Sequence, residues 1–174
     1  MVTPVAILVG PPGSGKTTVA RALAELLHVR AVDTDATIEA AAGKTISDIF
    51  INDGEPAFRA LEREAVARVL ASHDGVVAVG GGAPLDAQTQ ERLAGQQVIF
   101  LDVGIADAAK RIGFDRSRPL LSVNPRASWV ALMTERRPVY ERLATHRVDT
   151  AGRSPQEIAV EIAGLLAAQP SADG

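Results

Sequence analysis

The stretch GPPGSGKTT, Gly10 to Thr18, stands directly behind the apolar run VAILV, residues 5–9. No other part of the chain restricts its fold so tightly. Gly10-x-x-x-x-Gly15-Lys16-Thr17 satisfies the Walker A pattern, and that pattern works only as the turn between a buried strand and a helix. Its glycines let successive backbone N–H groups converge on phosphate oxygens, and the helix N-terminus adds its dipole. Gly13, Ser14, Gly15, Lys16, Thr17 and Thr18 are therefore expected to hold a nucleotide triphosphate. Lys16 would reach the β- and γ-phosphates, and the Thr17 hydroxyl would ligate Mg²⁺. The bland alternative is a tight glycine turn without a ligand.

If a strand ends at Val9, the question is what surrounds it. Four more short, β-branched apolar runs follow: VRAVDT (29–34), VVAV (76–79), VIFLDV (98–103) and HRVDT (146–150). Their length favours strands over helices. Between them lie segments with helical spacing. KTTVARALAELL places Val19, Leu23, Leu26 and Leu27 on one face, and residues 55–73 do so with Phe58, Leu61, Ala65, Val69 and Leu70. Ser154 and Pro155 open a last helix as N-cap and first helical residue. Continuously apolar strands alternating with helices predict a parallel sheet covered on both faces, a three-layer α/β/α arrangement. Such sheets bind ligands at the carboxyl ends of their strands.

At 174 residues the chain is expected to form a single domain over 1–168, with 169–174 a disordered tail. Residues 113–127, rich in Gly, Pro and charge, read as a long loop, the place for a mobile lid over about 113–125. Aromatic residues are only 3% of the chain, so Ala, Val, Leu and Ile must build the core. A net charge of −3 provides no footprint for nucleic acid or an anionic membrane. The chain has no cysteine, and its three histidines are scattered, which argues against disulfides and zinc. No apolar run reaches membrane-spanning length, so a cytoplasmic protein is the expectation, and short connections within a single domain suggest a monomer. Lysine is confined to positions 16, 44 and 110. Arginine does nearly all the cationic work here, and a lone arginine carries correspondingly less information.

A motor or switch ATPase usually carries an acid right after a later apolar strand. Here VVAV runs into Gly80-Gly81-Gly82 instead. The metal-side acid is then sought in DTD, Asp33 to Asp35, where one carboxylate could face the metal and the other an acceptor hydroxyl. Either aspartate taken alone could equally cap the following helix.

GPPGSGKTT, DTD, GKTISDIF, FRALE, GGGA, RPLL and ERRPVYERLA occur in an order and spacing that resembles the shikimate kinases, from about residue 5 to about residue 155. The resemblance implies a nucleoside-monophosphate-kinase-like P-loop fold with a central parallel five-stranded sheet. It implies transfer of the ATP γ-phosphoryl to the 3-hydroxyl of shikimate, with Mg²⁺, and ATP and shikimate as partners. A gluconate kinase or another small-molecule kinase of the same fold is the alternative.

Roles implied by the resemblance are these. Arg59 and Arg136 form a clamp for the acceptor carboxylate; separately, helical spacing lets Glu62, three residues on, orient the Arg59 guanidinium. Asp35 holds ring hydroxyls and accepts the proton of the attacking one, while Asp33 faces the metal, through water. Gly80, Gly81 and Gly82 let backbone approach the ring. Arg118, in the lid, neutralises the transferring phosphoryl group, and Arg111 and Arg153 sandwich the adenine. Arg137, next to Arg136, is expected in solvent. Trp129 carries no assigned role, and Phe50 and Phe58 are left between ring contact and core.

Overall fold

The computed structural model describes residues 2–112 and 124–169. Five strands, β1 (Ala6–Val9), β2 (Ala31–Asp33), β3 (Val76–Ala78), β4 (Val98–Asp102) and β5 (His146–Asp149), form one sheet in the order β2-β3-β1-β4-β5. Every pairing is parallel, with Ile7 opposite Val77 on one side of β1 and opposite Val98 on the other. The helices are α1 (Lys16–Leu27), α2 (Thr34–Ala42), α3 (Ile46–Asp53), α4 (Glu55–Ser72), α5 (Ala87–Leu93), α6 (Ile105–Ile112), α7 (Pro125–Leu143) and α8 (Pro155–Ala167). The doubly covered parallel sheet expected from the sequence is the one observed.

Its central strands read as continuous apolar runs because both faces are buried. Successive side chains of β1 point to opposite faces. Ala6 and Leu8 join a core with Val19 and Leu23 of α1 and Ile158 and Ile162 of α8. Ile7 and Val9 join a second core with Phe100, Val66 of α4, and Trp129, Met133 and Tyr140 of α7. Truncating a side chain as buried as Leu23 would cost about 2–5 kcal/mol. A smaller cluster of Ile38, Ile49, Phe58 and Ala65 ties α2 and α3 to α4 beyond the sheet edge.

Two helical faces differ from the periodicity reading. Leu26 of α1 is 45% exposed and Leu61 of α4 is 38% exposed. On α4 the buried stripe takes in Glu62 and Val66 instead. Leucine spacing alone cannot see that one stripe position is reserved for a charged residue. The expected loop over 113–127 is also shorter than drawn, because α7 begins at Pro125. Proline is preorganised for a first helical position, and Asn124 just before it is left-handed, with φ 46°. At the other end Gln169 is held by Gln97 and His146.

Candidate active site

The carboxyl ends of β1, β2 and β3 converge with the loops that follow them. Helix α1 begins without a side-chain cap and without an acid in its first turn, whereas α2, α3 and α8 each have both. Its first N–H groups are thus left to an external anion. Gly13 and Gly15, at φ 84° and 87°, occupy the left-handed region that the turn requires. Lys16 Nζ donates to the carbonyls of Gly10 at 2.8 Å and Pro11 at 3.2 Å, so its ammonium lies folded over the loop.

The loop's remaining carbonyls are held from elsewhere in the chain. Arg111 of α6 donates to Gly13 O at 3.0 Å and Ser14 O at 3.1 Å, and also to Thr150. The indole N–H of Trp129 donates to Pro12 O at 2.9 Å. Trp129 is buried in the α7 core, and its position on the sequence offered no signal of that contact.

Asp33 does two things at once. One carboxylate oxygen accepts from the Asp35 backbone N–H at 2.8 Å and caps α2, and the other accepts from the Thr17 hydroxyl. Capping and a metal-facing role were posed as rivals for Asp33; the cap is observed, and with two oxygens the carboxylate keeps the other one against Thr17. Asp35, in the first turn of α2, stands over the junction of two cavities.

The first cavity, of about 480 Å³, runs from the phosphate loop along Arg111 and Arg153 to Pro155 and Ile158. Arg153 is tethered there by Asp149 O at 2.8 Å and Glu161 at 2.7 Å. The second, of about 530 Å³, is walled by Phe50, Phe58, Arg59, the three glycines and Arg136. Both are bordered by Pro12, Lys16, Thr17, Asp33 and Asp35.

In the second cavity Arg59 donates to Glu62 at 2.7 Å, the pairing one helical turn apart that the sequence suggested. Burial pushes the Glu62 carboxyl above its ordinary range, and the charges of Arg59 and Arg136 only partly pull it back. Arg136 is 3% exposed, and its Nε has no hydrogen-bond partner among the described residues. A buried guanidinium with a donor to spare suits an anion. Phe50 and Phe58 stack at 4.9 Å, with Phe58 in the small core and Phe50 at the cavity wall.

The ends of charged side chains crowd the three glycines. A Cβ on Gly80 would lie 2.7 Å from Asp35 Oδ1 and 2.8 Å from Glu62 Oε2. One on Gly81 would lie 2.9 Å from Arg136 Nη1, and one on Gly82 would lie 2.3 Å from Arg59 Nη1. Four charged side chains lie against the bare backbone of this loop. Gly80 N–H donates to Thr34 at 3.2 Å, and Tyr140 donates to Gly81 O at 2.6 Å. Burial drives the Tyr140 hydroxyl up to about 12, against the charge of Arg136, so it stays a donor.

Arg137, expected in solvent, keeps a side chain that is 39% exposed but is also anchored. It makes a two-pronged pair with Asp102 at 2.8 and 2.9 Å, and Arg147 completes the cluster at 2.7 Å. Burial of Asp102 works to raise its pKa, but the hydrogen bonds and charges of the two arginines outweigh this and hold it below the ordinary range. Adjacent arginines on α7 thus face different acids, and the pairing fixes which one enters the cavity. Arg118 and most of the expected lid lie outside the described residues.

Comparison with known proteins meets this geometry. A family model described as shikimate kinase matches residues 12–167. A shikimate kinase of Thermobifida fusca is 61% identical over 95% of this chain and 96% of its own length. Another, from Salinispora arenicola, is 59% identical over 95% and 99%. Among solved structures, a shikimate kinase of Acinetobacter baumannii in complex with shikimate superposes with a TM-score of 0.91 at 35% identity, covering 96% of this chain and 94% of that one.

Proposed function

The chain belongs to the shikimate kinase family, and on that premise we propose how its residues transfer the ATP γ-phosphoryl to the 3-hydroxyl of shikimate, yielding shikimate 3-phosphate and ADP. The observation that carries the reading is the pair of cavities meeting at Lys16, Thr17, Asp33 and Asp35. One is built for a nucleotide, the other for a small hydroxylated anion, and they touch where a phosphoryl group would cross.

ATP lies in the first cavity, its phosphates on the N–H groups of the phosphate loop and the start of α1. Lys16 leaves the carbonyls of Gly10 and Pro11 for the β- and γ-phosphates. Arg111 and Arg153 bracket the adenine, a reading supported by their place along the cavity and by tethers that hold both guanidinium planes. In the second cavity Arg136 and Arg59 take the shikimate carboxylate, where planar forks suit a two-oxygen partner. Asp35 holds the ring hydroxyls and takes the proton from the 3-hydroxyl as it attacks. Gly80, Gly81 and Gly82 keep the opposite wall low, and Arg118 closes over the transferring group from the lid at about 113–125. No covalent enzyme intermediate is required, because positioning and electrostatics suffice.

An ATP-using kinase of this kind works with a divalent metal, and we take it to be Mg²⁺. The oxygen donors fit: the hydroxyl of Thr17 and the carboxylate of Asp33 touch beside the phosphate loop. Mg²⁺ is commonly held by one or two protein oxygens, water and substrate phosphates. Thr17 would ligate it directly and Asp33 through water, and when bound it neutralises charge on the β- and γ-phosphate oxygens.

The domain is taken as residues 1–168, acting as a cytoplasmic monomer without nucleic-acid partners. The deciding experiment measures ADP release with Mg²⁺-ATP and, in turn, shikimate, gluconate and nucleoside monophosphates. Shikimate is expected to give the highest kcat/KM by orders of magnitude. Faster turnover with gluconate or a nucleotide would displace it.

A further inference from the structure

Helix α7 presents Trp129, Met133, Arg136 and Tyr140 as one buried stripe, at spacings of four, three and four residues. Arg136 faces the acceptor cavity. Its two aromatic neighbours on the stripe each donate a hydrogen bond to a backbone carbonyl of a different loop. Trp129 holds Pro12 O, in the phosphate loop, at 2.9 Å. Tyr140 holds Gly81 O, in the glycine loop, at 2.6 Å.

In a planar trans peptide the C=O and the next N–H point in opposite directions. A side chain that captures the carbonyl therefore aims the N–H away from itself. The Pro12 carbonyl shares its peptide with the Gly13 N–H, and the Gly81 carbonyl shares its peptide with the Gly82 N–H. The freedom that Trp129 removes is real, because Gly13 has no Cβ to restrain its own torsions. Arg111 does the same for the two peptides that follow, through Gly13 O and Ser14 O. The two loops also abut, since a Cβ on Gly81 would lie 3.3 Å from Gly10 O and 3.6 Å from Pro12 Cδ.

We propose that Trp129 and Tyr140 are positioning residues: α7 aims the Gly13 N–H at the nucleotide phosphates and the Gly82 N–H at the acceptor, and so sets donor and acceptor relative to each other. Neither side chain touches a reacting atom. Arg137, locked to Asp102, keeps the helix from turning about its axis. The proposal rests on the reading of the two cavities as nucleotide and acceptor sites.

The test uses the full chain as Trp129→Phe and Tyr140→Phe; the second removes only a hydroxyl, and the first removes the indole N–H while keeping an aromatic ring of smaller size in the core. Calorimetry measures Mg²⁺-ADP and shikimate separately, alongside the melting temperature without ligand. A net hydrogen bond of ordinary strength corresponds to about a three- to tenfold change in affinity. Trp129→Phe should weaken Mg²⁺-ADP by that factor and leave shikimate within twofold, and Tyr140→Phe should do the reverse. Unchanged affinities overturn the proposal. So does equal weakening of both ligands, or a collapse of the ligand-free melting temperature, which would mean that the rings serve packing alone. A parent chain that binds Mg²⁺-ADP but not shikimate would instead refute the acceptor reading, while the Trp129 arm still decides its own case.

Discussion

Arg136→Met should abolish tight acceptor binding without harming the fold, and the two halves of that statement have separate origins. Arg136 is almost completely buried in the acceptor wall, with Nε lacking a hydrogen-bond partner among the described residues. Its role as half of the carboxylate clamp predicts a large penalty when the charge is removed, because the ligand carboxylate is left desolvated and short of a partner. Truncating one side of a buried charged pair costs about 2–5 kcal/mol, which corresponds to roughly 30- to 4,000-fold in Kd. In the free protein the same residue is a liability. A buried charge is costly unless it is paired, so a hydrophobe of similar volume relieves a penalty there. Part of that gain is forfeited, because Glu62, already pushed up by burial, loses one of the two cations that pull it back. Calorimetric titration with shikimate and with Mg²⁺-ADP, plus thermal melting without ligand, gives all three quantities. The expected result is loss of shikimate affinity, Mg²⁺-ADP affinity within a few-fold of the parent, and a melting temperature no lower than the parent's. Unchanged shikimate affinity would refute the clamp. A sharp fall in melting temperature would show instead that Glu62 depends on Arg136 for the fold.

Two further outcomes follow from the same geometry. Asp35→Asn keeps the side chain's size and removes its basicity, so kcat should fall by about 10²–10⁴-fold while ATP affinity holds; weakened ATP binding with little loss of kcat would move Asp35 to the metal side. Asp102→Asn should cost about 1–3 kcal/mol at neutral pH through its charged hydrogen bonds with Arg137 and Arg147. Because folding lowers the Asp102 pKa, its contribution is present above the ordinary carboxylate value and is lost as pH falls through the lower folded one. Acid titration by circular dichroism should therefore show the parent and the variant converging in stability as that range is crossed, and a constant gap would refute the assignment.

The residues that could be read from the chain are those whose meaning is local. Phosphate-loop glycines at φ 84° and 87°, the Ser154 cap and the continuously apolar strands each declare themselves within a few positions. Glu62 beside Arg59 was legible too, because one turn of helix joins them. Leu26 and Leu61 misled because apolar character along a helix does not say how wide the covered face is, nor that Glu62 would be buried among apolar neighbours.

By itself, then, the sequence determined a phosphate loop on a doubly covered parallel sheet, and its ordered motifs pointed to a shikimate kinase. Tertiary structure decided what holds that site together. Trp129 reaches Pro12 across 117 positions, Arg137 reaches Asp102 across 35 and Tyr140 reaches Gly81 across 59. Only the packed structure shows that the glycine loop also lies against the side chains of Asp35, Glu62, Arg59 and Arg136. A hydrogen bond depends on distance and direction in space, and for residues so far apart in the chain only the packed helices and sheet supply either.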